Sequence, residues 1–149
     1  MIASLAAAPT TWVTLPVALQ AAAVEERPVL LYVRAPWCGP CALLERDVFP
    51  AVEPLLNQVE RARLTFDDHD TLHRVGDVTQ SEAAWAAHYG ATATPTLVLL
   101  QPDGQVITRL TGTPDAEGLG LLLAYVTTGA YRHVSFEAYA AQVNPSNIP

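Results

Sequence analysis

Ala35-Pro36-Trp37-Cys38-Gly39-Pro40-Cys41 is the stretch on which the reading of this chain turns. It follows the apolar run Val29-Leu30-Leu31-Tyr32-Val33 and precedes Leu43, Leu44, Val48 and Val52, which fall at helical spacing. The protein's two cysteines therefore stand three apart, just after a strand and at the start of a helix. A helix start leaves backbone N–H groups without intrahelical partners and carries a partial positive charge, so an anion placed there is stabilised. A free thiol titrates at about 8.5, and about 7 is typical of a Cys-X-X-Cys helix start. Cys38 reads as the exposed nucleophile and Cys41 as the buried resolving thiol.

Composition narrows the class. A chain of 149 residues is expected to form one domain, residues 1–149, with its core at about 28–126 and a flexible start over about 1–10. Half the residues are apolar and only 15% are charged, which excludes a disordered chain. Pro, Thr and charged residues interrupt every apolar run well short of the ~18–20 residues a membrane span needs. Fifteen acidic residues against 8 basic ones give a net charge of −7, which argues against a nucleic-acid partner. Two cysteines cannot scaffold a domain of this size, so a redox pair is the better reading. Met1–Pro9 lacks the positive start and full apolar core of a signal peptide, yet Ala6 and Ala8 fit the A-x-A cleavage pattern. A trimmed exported form is the preferred reading, and a cytosolic start is the alternative.

Along the chain, Trp12 and Val13 read as a short lead-in, and Pro16 suits the first turn of a helix that ends near Arg27-Pro28. Val29–Val33 is a central strand covered on both faces. Cys41 to about Gln58 has helical spacing, with a kink or break at Pro50 and Pro54. Ala62–Asp67 is a second core strand, with Leu64 and Phe66 on one face. Asp68–Thr79 is polar and reads as an inserted loop, with room for a short strand at Arg74–Val78. Ser81 and Asp115 are helix caps, and Asp103-Gly104 marks a hairpin between Thr96–Leu100 and Val106–Leu110. Phe136 and Tyr139 suggest a small docked helix, and Asn144–Pro149 should fray. The expected fold class is α/β: a central mixed β-sheet flanked by helices, with an N-terminal helix, an inserted loop and a short C-terminal helical tail.

Trp37-Cys38-Gly39-Pro40-Cys41 and the later Thr94-Pro95-Thr96 resemble the thioredoxin-fold family, over roughly Pro28 to Tyr125. The resemblance implies a thioredoxin fold and a thiol–disulfide oxidoreductase with catalytic Cys38 and Cys41 in a motif completed by Trp37, Gly39 and Pro40. It implies that Pro95 is cis, beside the cysteines, and that Trp37, Thr94 and Pro95 meet the substrate, with Thr94 offering its backbone. Gly39-Pro40 between the cysteines is similar to the reducing members. The Ala-rich helix before Arg27-Pro28-Val29, together with Phe49, resembles the C-terminal domain of the transmembrane disulfide reductase. The insertion and the tail around Tyr131, Phe136 and Tyr139 resemble periplasmic thioredoxins of sulfur oxidation. A periplasmic or exported protein is implied, with a cytoplasmic one as the alternative.

By this resemblance Cys38 forms a mixed disulfide with a protein substrate and Cys41 resolves it. No cofactor is expected beyond the Cys38–Cys41 disulfide. The implied partners are disulfide-bearing proteins and an upstream thiol electron donor, either a membrane dithiol carrier or thioredoxin reductase, and the protein reads as a monomer. One position departs from the family. Six residues before the first cysteine, where thioredoxin has a buried aspartate, stands Tyr32, which with a reference pKa of about 10 is no base at neutral pH. Asp67, Asp68, Glu45 or a water is left to take the Cys41 proton. The alternative function is a metal-binding or chaperone-like module, since soft thiolates also hold copper(I) or zinc. A structural zinc site wants four ligands, and there is no second cysteine pair. His69 and His73, beside Asp67, Asp68 and Asp70, read as a solvated polar loop rather than a metal site.

Overall fold

The computed structural model describes residues 11–143. The expected flexible start, with Ala6 and Ala8, and the tail at Asn144–Pro149 lie outside the described residues. Four strands form a mixed sheet in the order β2-β1-β5-β6. β1 (Val29–Arg34) runs parallel to β2 (Glu60–Thr65) and antiparallel to β5 (Thr96–Leu100), which pairs antiparallel with β6 (Val106–Thr111). The first five residues of β1 and all of β5 are buried, as continuous apolar runs demand when helices cover both faces. Alternate side chains feed two cores. Leu30, Tyr32, Leu97 and Leu99 face Cys41, Leu44, Phe49 and α5 (Ala116–Thr127), while Leu31, Val33, Val98 and Leu100 face α1 (Leu15–Glu25) and α4 (Glu82–His88).

The long helix expected after Cys41 is broken into pieces. α2 (Gly39–Leu43) widens into a π-turn at Leu44–Val48, then a 3₁₀ turn at Pro50–Val52, then α3 (Glu53–Leu56). Pro50 has no N–H to donate and its ring crowds the carbonyl of Arg46. The ladder shifts accordingly, and Phe49 N–H bonds to Leu44 O at 2.9 Å, five residues back. Pro54 lies in the first turn of α3, where a missing N–H costs nothing.

The inserted segment is more ordered than its polarity implied. β3 (Leu72–Val75) and β4 (Val78–Ser81) form an antiparallel hairpin turning at Gly76-Asp77, with Gly76 at φ +61°. The short strand expected across Arg74–Val78 is therefore two strands with a turn between them. Ser81 caps α4 by accepting from Ala84 N–H at 3.1 Å, and Asp115 caps α5 from Gly118 N–H at 2.7 Å. Gly104, at φ +90°, turns β5 into β6. Val13 does more than lead in. It bridges Ala62 in parallel register and so covers part of the outer edge of β2. α6 (Phe136–Val143) docks through Phe136 and Tyr139 on the Tyr125 ring, whose hydroxyl donates to Val134 O at 2.6 Å.

Candidate active site

The strand β1 ends at Arg34, and Ala35–Trp37 form the link that delivers Cys38 to the start of α2. Cys38 is itself the N-cap: its extended backbone (φ −87°, ψ 105°) precedes the helix, and its Sγ accepts from Cys41 N–H at 3.1 Å. That bond satisfies one of the orphan donors of the helix start at the sulfur. Pro40 sits in the first turn, where its missing N–H is no loss. Cys38 and Cys41 are joined as a disulfide with a Cα–Cα separation of 5.2 Å. Cys38, expected to be exposed, is 6% exposed against 1% for Cys41, because it packs in the buried cluster with Ala35 and Cys41.

Trp37, by contrast, stands out at 64% exposure. Its indole N–H donates to Asp67 Oδ2 at 2.8 Å, which ties the motif to the end of β2 and gives Asp67 an occupation. Thr96 pairs with Val33 across the sheet, so Thr94 and Pro95 lie at the end of β5 beside the Ala35–Cys38 segment. The Thr94–Pro95 peptide is cis. Pro95 is buried, its carbonyl accepts from Gly112 N–H at 2.9 Å, and Thr94 is half-buried. The structure thus collects Trp37, Cys38, Gly39, Pro40 and Cys41 with Thr94 and Pro95 at one end of the sheet.

Behind Cys41 lies a polar group that sequence reasoning did not assemble. Tyr32 and Arg34 are two apart on β1 and so share a face, and both reach Glu45 on the π-turn. Tyr32 Oη donates to Glu45 Oε2 at 2.7 Å, and Arg34 Nε donates to the same oxygen at 2.8 Å. Tyr32 Oη also lies 3.4 Å from Cys41 O. Burial, together with the Glu45 hydrogen bond and charge, pushes the Tyr32 phenol far up, so it stays protonated and donates. Burial also pushes the Glu45 carboxyl up, but hydrogen bonds from Arg34 and Tyr32 and the charges of Arg34 and Arg63 outweigh it. The carboxyl is held below the usual range. Arg34 is therefore half of an ion pair with Glu45.

The remaining candidates are occupied elsewhere. Asp68 Oδ1 accepts from the N–H groups of Asp70 and Thr71, an Asx turn that starts the hairpin. His73 pairs with Glu82 at 2.8 Å and His69 is exposed. Among the described residues no group of three or more His, Cys, Asp or Glu converges as a metal cage. Trp85 and Tyr89 are buried packing residues of α4 and its end.

The sequence profile of the thioredoxin-like domain matches residues 15–127. The chain belongs to this family. A thioredoxin from Chlamydia caviae is 32% identical over 91 residues, covering 61% of this chain and 74% of the relative. A mutant thioredoxin from Halobacterium salinarum superposes with a TM-score of 0.57 at 29% identity, over 80% of this chain and 91% of its own. A thioredoxin from Thermus thermophilus covers 95% of this chain and 98% of its own, with a TM-score of 0.66 at 21% identity, a likeness of fold. With the Cys38–Cys41 pair in place, this thioredoxin-like domain is a thiol–disulfide oxidoreductase. Among the described residues no helix is long and apolar enough to cross a membrane.

Proposed function

We propose that the protein works as a reductant of disulfides in other proteins, through a mixed disulfide on Cys38 that Cys41 resolves. The observation that carries this reading is the Cys38–Cys41 pair closed at a helix start, with Cys38 as the N-cap. The dithiol gives two electrons and two protons to a substrate disulfide, so no further cofactor is needed. Trp37 supplies an exposed, anchored contact surface, and the Thr94 backbone at the end of β5 adds an extended substrate segment. An upstream dithiol, a membrane carrier or thioredoxin reductase, would restore the reduced pair. The protein acts as a monomer, in the periplasm or another exported setting, a reading that rests on the resemblance of Phe49, the Ala-rich first helix and the inserted segment to exported relatives.

Gly39-Pro40 between the cysteines favours the reducing direction. Equilibration with glutathione or dithiothreitol redox buffers is expected to give a potential near about −270 mV. A value near about −120 mV would make the protein an oxidant and reverse the proposed direction.

A further inference from the structure

The turn that carries Asp67 is held from both ends by one helix. Asp68 N–H donates to Thr65 O at 3.2 Å, so Thr65–Asp68 is a closed four-residue turn with Asp67 in its third place. Val13 satisfies Arg61 O and Arg63 N–H on the outer edge of β2. The next N–H on that edge, from Thr65, donates to the side chain of Glu82, reaching Oε1 at 2.6 Å. Ala83 N–H donates to Asp68 O at 2.9 Å, and Glu82 N–H to Thr71 O at 3.0 Å. The first turn of α4 therefore fixes the residues on either side of Asp67. Glu82 is itself held: its Oε2 meets His73 Nε2 at 2.8 Å, and both side chains are largely buried. Trp85 Nε1 donates to His73 O at 2.9 Å, which pins the hairpin strand that brings His73 in.

Asp67 and Trp37 are both exposed, so little packing sets the pose of the indole. The 2.8 Å bond from Trp37 Nε1 to Asp67 Oδ2 sets it instead. A side chain already oriented loses less freedom on binding than a loose one. Releasing Asp67 would return that freedom to Trp37 and weaken its contacts without altering the sulfurs.

We propose that Glu82 is a positioning residue for Trp37, and that the inserted β3–β4 hairpin, through His73, belongs to the substrate-contact apparatus. The role exists only if Trp37 meets the substrate, so it rests on that reading. Among the described residues, neither Glu82 nor His73 bonds to Cys38 or Cys41. The effect of removing them therefore falls on substrate binding rather than on the exchange step.

The test is a double-mutant cycle on the full chain, read as KM and kcat for dithiothreitol-driven insulin reduction. Glu82→Ala is expected to raise KM about fivefold and to change kcat by less than about twofold, a smaller loss than truncating an interface tryptophan outright. Trp37→Ala should raise KM more, and adding Glu82→Ala to it should change KM no further. Glu82→Gln keeps an oxygen for Thr65 N–H and should restore most of the wild-type KM. Should Glu82→Ala fail to fold, as read by circular dichroism, His73→Ala runs the same cycle, with a rise in KM that vanishes in the Trp37→Ala background. An unchanged KM in folded Glu82→Ala would overturn the proposal. So would effects of Glu82→Ala and Trp37→Ala that multiply, since Glu82 would then only close the edge of β2. If Trp37→Ala itself leaves KM unchanged, the reading of Trp37 as a substrate contact fails, and this role with it.

Discussion

Cys38→Ser is expected to bring dithiothreitol-driven insulin reduction down to the uncatalysed rate, a loss of at least about three orders of magnitude. The reason is chemical rather than structural. A serine hydroxyl does not ionise near neutral pH, and its oxygen cannot form the mixed disulfide. The local fold should survive, because serine is a good N-cap and can accept from Cys41 N–H as the sulfur does. Circular dichroism of the variant should therefore match that of the reduced wild type. Substantial residual turnover in Cys38→Ser would sink the catalytic assignment.

The second large effect is on stability. Phe49→Ala is expected to cost about 3–5 kcal/mol, a large part of the 5–15 kcal/mol typical of a whole domain. Phe49 is 5% exposed and packs its ring 5.1 Å from that of Tyr32 and 5.2 Å from that of Trp12. It also sits where the π-turn gives way to the 3₁₀ turn, so the cavity would open at the least regular point of the helical run. Phe49→Leu, which keeps most of the volume, should lose much less. Urea unfolding of the reduced proteins separates the two. A Phe49→Ala midpoint equal to the wild-type value would mean that this aromatic trio contributes little to the core.

The strand β1 and the start of α2 were legible because every local signal agrees there. A continuous apolar run, a proline without an N–H and a capping cysteine all select one geometry. The Asp103-Gly104 hairpin and the Ser81 and Asp115 caps were legible for the same reason, since each is decided within four residues. The β3–β4 hairpin was half-legible. Its strands are four residues long with none of their residues fully buried, so they lack an alternating apolar pattern, and Gly76 alone did not say that it was the turn. The two prolines announced a break after Cys41 but not its form. Which carbonyls find donors around Pro50 depends on how Phe49 packs. The Tyr32–Arg34–Glu45 group was invisible as a unit because it joins a strand to a helix eleven to thirteen residues away. Tyr-x-Arg on a strand and Glu four residues after Cys41 were its only traces.

The most direct test of the exchange chemistry is covalent. Reduced Cys41→Ser, mixed with a disulfide-bearing protein such as insulin and analysed by intact mass without reductant, should accumulate as a one-to-one adduct. Peptide mapping should place the link at Cys38, and dithiothreitol should release it. Failure to trap any adduct, under conditions where the wild type reduces the same substrate, would contradict a mechanism that passes through Cys38.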